Sequence, residues 1–361
     1  MRLAVLVVTL GVLLAGLTSA GAATPSIPVL DPLAMPVLPA QGLVIQRPHE
    51  VLLVGLDGHV FGRLRGFTTT QSGGGELLTD MASYLPETVF LQGPAGRAYV
   101  LAGGRLTPIS PRRFALPGGA ELVGGFITTG YGTPESPAAK IWVKDTASGT
   151  VLAGGTDWGI VDGRLLVTGH AVIDLVTRQR WTLGPTLRWS FAEATPNRCT
   201  PAGIHAGSIE AVCATSVNSH AAGNAGHNAV VRFFAVSHDG KRDPLGLPFL
   251  YDNFGSADAF LSPDGAHIAA TLAVGCGPPY AIIGPTHGGK PRYVTGQPDT
   301  AIATKADMLG WSRSGLAIAE IGAGGCEGLH TPGLYLVDPN TFDRTLVFAL
   351  AKSDYGYSLW N

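Results

Sequence analysis

From Leu43 onward, short apolar or alternating runs are separated by Gly, Asp-Gly, Asn or Pro. The segments Glu50-Val-Leu-Leu-Val-Gly-Leu-Asp-Gly-His-Val-Phe61 and Lys140-Ile-Trp-Val-Lys-Asp145 are typical, and the pattern predicts strands joined by hairpins. Asp-Gly pairs at 57, 162, 239 and 264 fall between such runs. An Asp side chain bonds the backbone two residues on and Gly takes the positive φ, so these pairs predict hairpin turns. Calcium would need further carboxylates beside each pair, and they are missing from the sequence.

Composition supports this picture. Of 361 residues, 50 are Gly and 26 Pro, a density of breakers that excludes a coiled coil or a helical bundle. Hydrophobic residues make up 45%, which excludes a disordered chain. With 24 basic and 26 acidic residues the net charge is -2, so no global basic field exists to hold nucleic acid or an anionic membrane.

The start of the chain has a different character. Met1 and Arg2 precede the apolar run from Leu3 to Leu17 and the small residues Thr18-Ser-Ala-Gly-Ala-Ala23, the pattern of a secretory signal peptide over residues 1–23. A membrane anchor needs about 20 apolar residues, more than this run holds. The first Cys is Cys199, which excludes lipid attachment at the cleavage site, and no later segment resembles a transmembrane helix. The mature chain is therefore expected to be soluble, in the periplasm or the external medium. Prolines at 25, 28, 32, 36 and 39 make residues 24–42 an extended leader, with folded structure expected from 43 to 361.

One fixed offset organises the second half. Ser262-Pro-Asp-Gly265 returns as Ser312-Arg-Ser-Gly315, Ile268-Ala269 as Ile318-Ala319, Ala273 as Ala323, and Gly275-Cys276 as Gly325-Cys326, each displaced by 50. A repeat of 40 to 50 residues made of four short strands predicts an all-β fold, the β-propeller, whose blades cover one another's faces. The run Phe260-Leu-Ser-Pro-Asp-Gly-Ala-His-Ile-Ala-Ala resembles the PD40 repeat of TolB-like, WD40-like propellers, where an inner strand ends in Ser-Pro-Asp-Gly and the next begins with Ile-Ala. The copy at Trp311 departs from it, with Arg313 and Ser314 in place of Pro-Asp. The resemblance implies the fold and, as for many TolB-like propellers, binding of a protein, peptide or glycan on one face.

Turn logic divides the chain into sets centred on 80–108, 112–154, 157–184, 187–246, 257–295 and 307–348. A seventh blade is expected to combine about three strands from Leu43 to Gly66 with an inner strand from Tyr355 to Trp360, which closes the ring and leaves no sheet edge open; six blades are the alternative. Residues 196–207 read equally as a long intra-blade loop or as part of an entry linker. The four cysteines, Cys199, Cys213, Cys276 and Cys326, suit two disulfides in an exported chain. Three pairings are open, and the repeat favours Cys276 with Cys326 across neighbouring blades and, by elimination, Cys199 with Cys213.

Candidate chemistry is sparse. His220 and His227 lie in an insertion over 218–228, and Glu327 and His330 in a loop over 322–333; neither pair has the partners of a metal site, and no metal or cofactor is expected. The tryptophans at 142, 158, 181, 189, 311 and 360 suit core packing, while Trp311 and Trp360, at equivalent inner-strand ends, offer a stacking surface for a sugar or peptide. No nucleophile elbow, phosphate loop or EF-hand occurs. The expectation is a monomeric, non-catalytic, exported propeller that binds a protein, peptide or glycan. The alternative is a propeller lyase, lactonase or other hydrolase with residues converging at the central channel.

Overall fold

Blade length and strand alternation dictate small antiparallel sheets, and the computed structural model contains seven of them in a ring. It describes residues 27–361 except 70–87, 111, 125–141, 155–157, 191–196, 219, 221–228, 252–253, 275–276, 296–303, 326–327 and 355. Blade 1 pairs Thr68–Thr69, Val89–Gln92, Ala98–Ala102 and Arg105–Ile109. Its first strand thus lies ahead of the start expected near Asp80, because Thr68 and Thr69 already pair with Gln92 and Leu91. Blades 2 and 3 begin with Arg113–Leu116 and Trp158–Val161. Blades 5 and 6, which carry the 50-residue repeat, begin with Phe254–Leu261 and Thr304–Trp311.

Blade 7 joins the two ends of the chain. Gly356–Trp360 pairs antiparallel with Gly42–Arg47, which pairs with Glu50–Gly55 and then Val60–Arg65. Gly42 faces Trp360 and Ile45 faces Tyr357 in this register. Glycine is needed at position 42, since a Cβ there would overlap the Trp360 ring. The inner C-terminal strand and the three N-terminal strands are those expected from the sequence.

The described part of the expected leader turns at Asp31–Ala34 and is packed where a free segment was expected. Leu30 N–H donates to Arg63 O at 2.9 Å and Arg63 N–H to Pro28 O at 2.9 Å, so residues 28–30 run along the outer edge of blade 7. Leu38 is buried in the core between blades 7 and 1, with Leu30 and Met35 against the same cluster. Proline fixes the backbone without forbidding apolar side chains from docking, which is why the composition of this segment did not reveal its contacts.

Blade 4 resolves the ambiguity at 196–207. Arg198–His205 is a strand, paired with Ser208–Ser216, and Arg188–Trp189 adds to it in parallel. Its Pro201 sits where the ladder shifts register before Gly203, a bulge that tolerates a missing N–H and that hides the strand from pattern reading. Cys199 and Cys213 are directly opposed across this hairpin and form a disulfide, both buried. The bridge closes a short loop, a separation of 14 residues. Replacing both cysteines by Ser is expected to cost about 3 kcal/mol, read as the shift in free energy from chemical denaturation. The expected Cys276–Cys326 pair falls outside the described residues.

Between blades the faces are largely apolar. Trp158, Trp181, Trp189 and Trp360 are fully buried there, as packing predicts. The Asp-Gly turns also form as expected: Gly58, Gly163, Gly240 and Gly265 all have positive φ, and Asp57, Asp239 and Asp264 each accept from the N–H two residues on.

Candidate functional site

The inner strands converge on one end of the ring, where their last residues and the turns that follow line a cavity of about 330 Å³. Blade 3 contributes Val161 and Asp162, blade 4 Ile204 and His205, blade 5 Phe260 to Pro263, blade 6 Trp311 and Arg313, and blade 7 Asn361. Each of these turns is held by backbone and short polar side chains. Ser262 Oγ accepts from His267 N–H and donates to Asp264, and Gly265, at positive φ, lets His205 approach the turn closely. In the next blade Ser312 Oγ accepts from Leu316 N–H at 2.9 Å. Gln41, from the leader, donates to Trp311 O at 2.7 Å and accepts from Arg313 N–H at 3.0 Å, while Arg313 Nε–H donates to Asn361 Oδ1 at 3.0 Å. The two chain ends therefore fix the arginine at the mouth.

Below the mouth lies a set of acids, Glu320 buried and Asp258 and Asp307 half-buried. Strand alternation places Asp258 on the same side as Phe260, one pleat deeper, roughly 6–7 Å along the strand. Asp258 is opposed by Thr271, whose Oγ–H donates to Asp307 of blade 6 at 2.7 Å. Asp307 in turn faces Glu320 across its own blade, and Tyr357 of the closing strand donates to Glu320. The chain of polar groups thus runs through blades 5, 6 and 7. Burial pushes Asp258 up to about 7, reinforced by the nearby Asp307 charge, and burial likewise raises Asp307. Glu320 is raised to about 7 by burial against the opposing bond from Tyr357, whose own hydroxyl is held well above its usual range, mainly by burial. In blade 4, Glu210 is also raised to about 7 by burial. All three acids of the blade 5–7 set shift in the same direction.

The residues singled out in the sequence fall differently. Trp311 reaches the mouth but is only 5% exposed, with its indole N–H on Phe260 O at 3.0 Å. Trp360 occupies the equivalent strand end, as expected, but it offers no stacking surface: it is fully buried and its N–H donates to Pro39 O at 3.2 Å. The docked leader covers the face that the sequence left open. His220 is exposed, with its backbone N–H on Asn218 Oδ1, and is not among the residues lining the mouth. His227 and Glu327 fall outside the described residues. The expected loop over 322–333 is a hairpin instead: Ala317–Gly325 and Gly328–Val337 pair throughout, with His330 opposite Ala323. Its glycines mimic loop composition, but pairing on both sides of a bulge carries the strands through them. No group of three or more His, Cys, Asp or Glu among the described residues has a metal-binding arrangement.

Sequence reasoning missed Asp162, His205, Arg313 and the acids below the mouth, because they come from different blades. One signal was present: Asp258 and Asp307 each interrupt an apolar strand shortly before the repeated serine.

No protein-family model matches the chain, and no curated protein matches its sequence. Among solved structures it is similar to a dihydro-heme d1 dehydrogenase, with 10% identity, 93% of this chain and 77% of that one covered, and a TM-score of 0.41. It is also similar to oligogalacturonate lyase from Vibrio parahaemolyticus, at 10% identity, 79% and 72% coverage and a TM-score of 0.40. TolB from Acinetobacter baumannii matches at 14% identity over 78% of this chain, which spans 60% of that protein, with a TM-score of 0.31. Similarity at this level says nothing of activity, and the assignment as a seven-bladed β-propeller rests on the chain's own sheet order.

Proposed function

We propose that the chain is an exported, non-catalytic propeller that binds a protein, peptide or glycan at the mouth of its ring. The cavity at the ends of five blades' inner strands carries this reading: it is concave, lined by polar and apolar side chains together, and within the size range of ligand sites. Export is supported by the signal-like residues 1–23 and by the buried disulfide, which suits an oxidising compartment. A second reading, an extracytoplasmic propeller enzyme, draws on Asp258, one pleat beneath the cavity, and on the acids linked to it.

The test is a thermal-shift screen of the mature chain against peptide and glycan sets, repeated on Pro263→Trp. Pro263 is exposed on the cavity rim, so a large ring there blocks the mouth without entering the core. A ligand at 100 times its Kd adds about 2.7 kcal/mol, and that gain is expected to vanish in the variant. Turnover of a hit, or an equal gain in Pro263→Trp, would contradict the proposal.

A further inference from the structure

Arg313 stands out among the groups at the mouth because it is exposed there and none of the ion pairs among the described residues involves it. Its backbone N–H is held by Gln41 and its Nε–H by Asn361, both neutral partners. A guanidinium carries five N–H donors in a planar fork, and a fork anchored at Nε presents the remaining ones in a fixed direction suited to a carboxylate. Burial raises the carboxyl of Asp162, the one acidic side chain lining the cavity among the described residues, against the opposing charge of Arg164.

We propose that the group seated at this mouth is a carboxylate carried by a peptide, held by Arg313 beside the apolar wall of Phe260 and Leu261. This rests on the reading of the mouth as a binding site. A peptide is favoured over an acidic sugar because Trp311 is nearly covered and Phe260, which also lines the cavity, is only part-exposed within an otherwise aliphatic wall. The wall formed by the part-exposed Ile204, Phe260 and Leu261 suits an aliphatic side chain next to the acid. A volume of about 330 Å³ admits a short segment rather than a folded surface.

The experiment selects dodecapeptides from a random display library on the mature protein. It then measures Kd for each selected peptide and for its Asp→Asn or Glu→Gln counterpart, on wild type, Arg313→Gln and Pro263→Trp. The expected result is selection of peptides with an acid next to an aliphatic residue, a loss of at least tenfold when that acid becomes its amide, and no difference between acid and amide on Arg313→Gln. Equal binding of the amide peptides to Arg313→Gln and to wild type shows that the variant is folded. Selected peptides that Pro263→Trp rejects but whose affinity ignores the acid would overturn the carboxylate and leave the binding site standing. An acid dependence unchanged in Arg313→Gln would overturn the role of that residue. Binding of glycans in place of peptides would overturn the peptide while keeping the mouth as a site, and no binding of either class would overturn both.

Discussion

Deleting residues 356–361 is expected to abolish cooperative folding, and Trp360→Ala alone to cost about 3–5 kcal/mol, a large share of the roughly 5–15 kcal/mol typical of folded proteins. The deleted strand is the innermost of blade 7 and pairs along Gly42–Gln46. Trp360 packs fully buried against Val44, Leu53, Tyr99 and Leu101, and Leu359 fills the neighbouring cluster with Leu43, Ile318 and Leu334. Losing the strand opens a cavity between blades 6 and 1 and exposes the unpaired edge of Gly42–Arg47, a template for association. Arg47, which pairs with the buried carboxylate of Asp354 at 2.6 Å, would hold the approach to the missing strand but not replace it. Equilibrium denaturation reads the effect. A deletion variant with the wild-type midpoint would show that the C-terminal strand is dispensable.

The second large effect is on pH dependence. Asp258, Glu320 and Glu210 have folded pKa values raised to about 7, and Asp307 is raised as well. Between the unfolded values near 4 and the folded values near 7, the native state binds more protons than the unfolded state. Stability therefore falls as pH rises through this window, opposite to the usual behaviour of salt-bridged carboxylates. One pKa unit corresponds to about 1.4 kcal/mol, so the protein is expected to be about 2 kcal/mol or more stabler at pH 5.5 than at pH 8. Below pH 4 the sign reverses. Asp174, held well below its usual range chiefly by the Arg164 bond, which with bonds from Thr177 and Val176 outweighs its burial, must then take up a proton, and stability is lost. Glu320→Gln keeps an acceptor for Tyr357, so it is expected to raise stability at pH 8 and flatten the profile. A denaturation midpoint that rises steadily from pH 5.5 to 8 would contradict the assignment of these acids as neutral.

The architecture was readable because it depends on local signals repeated along the chain. Ser262-Pro-Asp-Gly265 and its copy at 312 fix two neighbouring hairpins, and the unpaired apolar ends at Leu43 and Trp360 call for each other. The Cys199–Cys213 bridge followed from pairing logic, although its strand was hidden by Pro201 and Gly203. The site was far less legible. Asp258, Thr271, Asp307, Glu320 and Tyr357 meet only because three blades are adjacent, and no contiguous motif records that adjacency. Even the 50-residue offset misses the match between Asp258 and Asp307, since the strand bulges lie at different places in the two blades. Trp360 illustrates the opposite error: its position in the repeat was correct, but the tertiary docking of Pro39 and Leu38 decided its exposure.

Amide hydrogen exchange of the intact mature chain, resolved over Gly42–Arg47 and Gly356–Trp360, tests the joining of the chain ends most directly. If these strands are the inner half of one blade, the amides that bridge them are protected to the level of global unfolding and exchange together. Exchange of residues 356–360 within seconds, while the strands of blades 3 to 6 stay protected, would mean that the ring closes some other way.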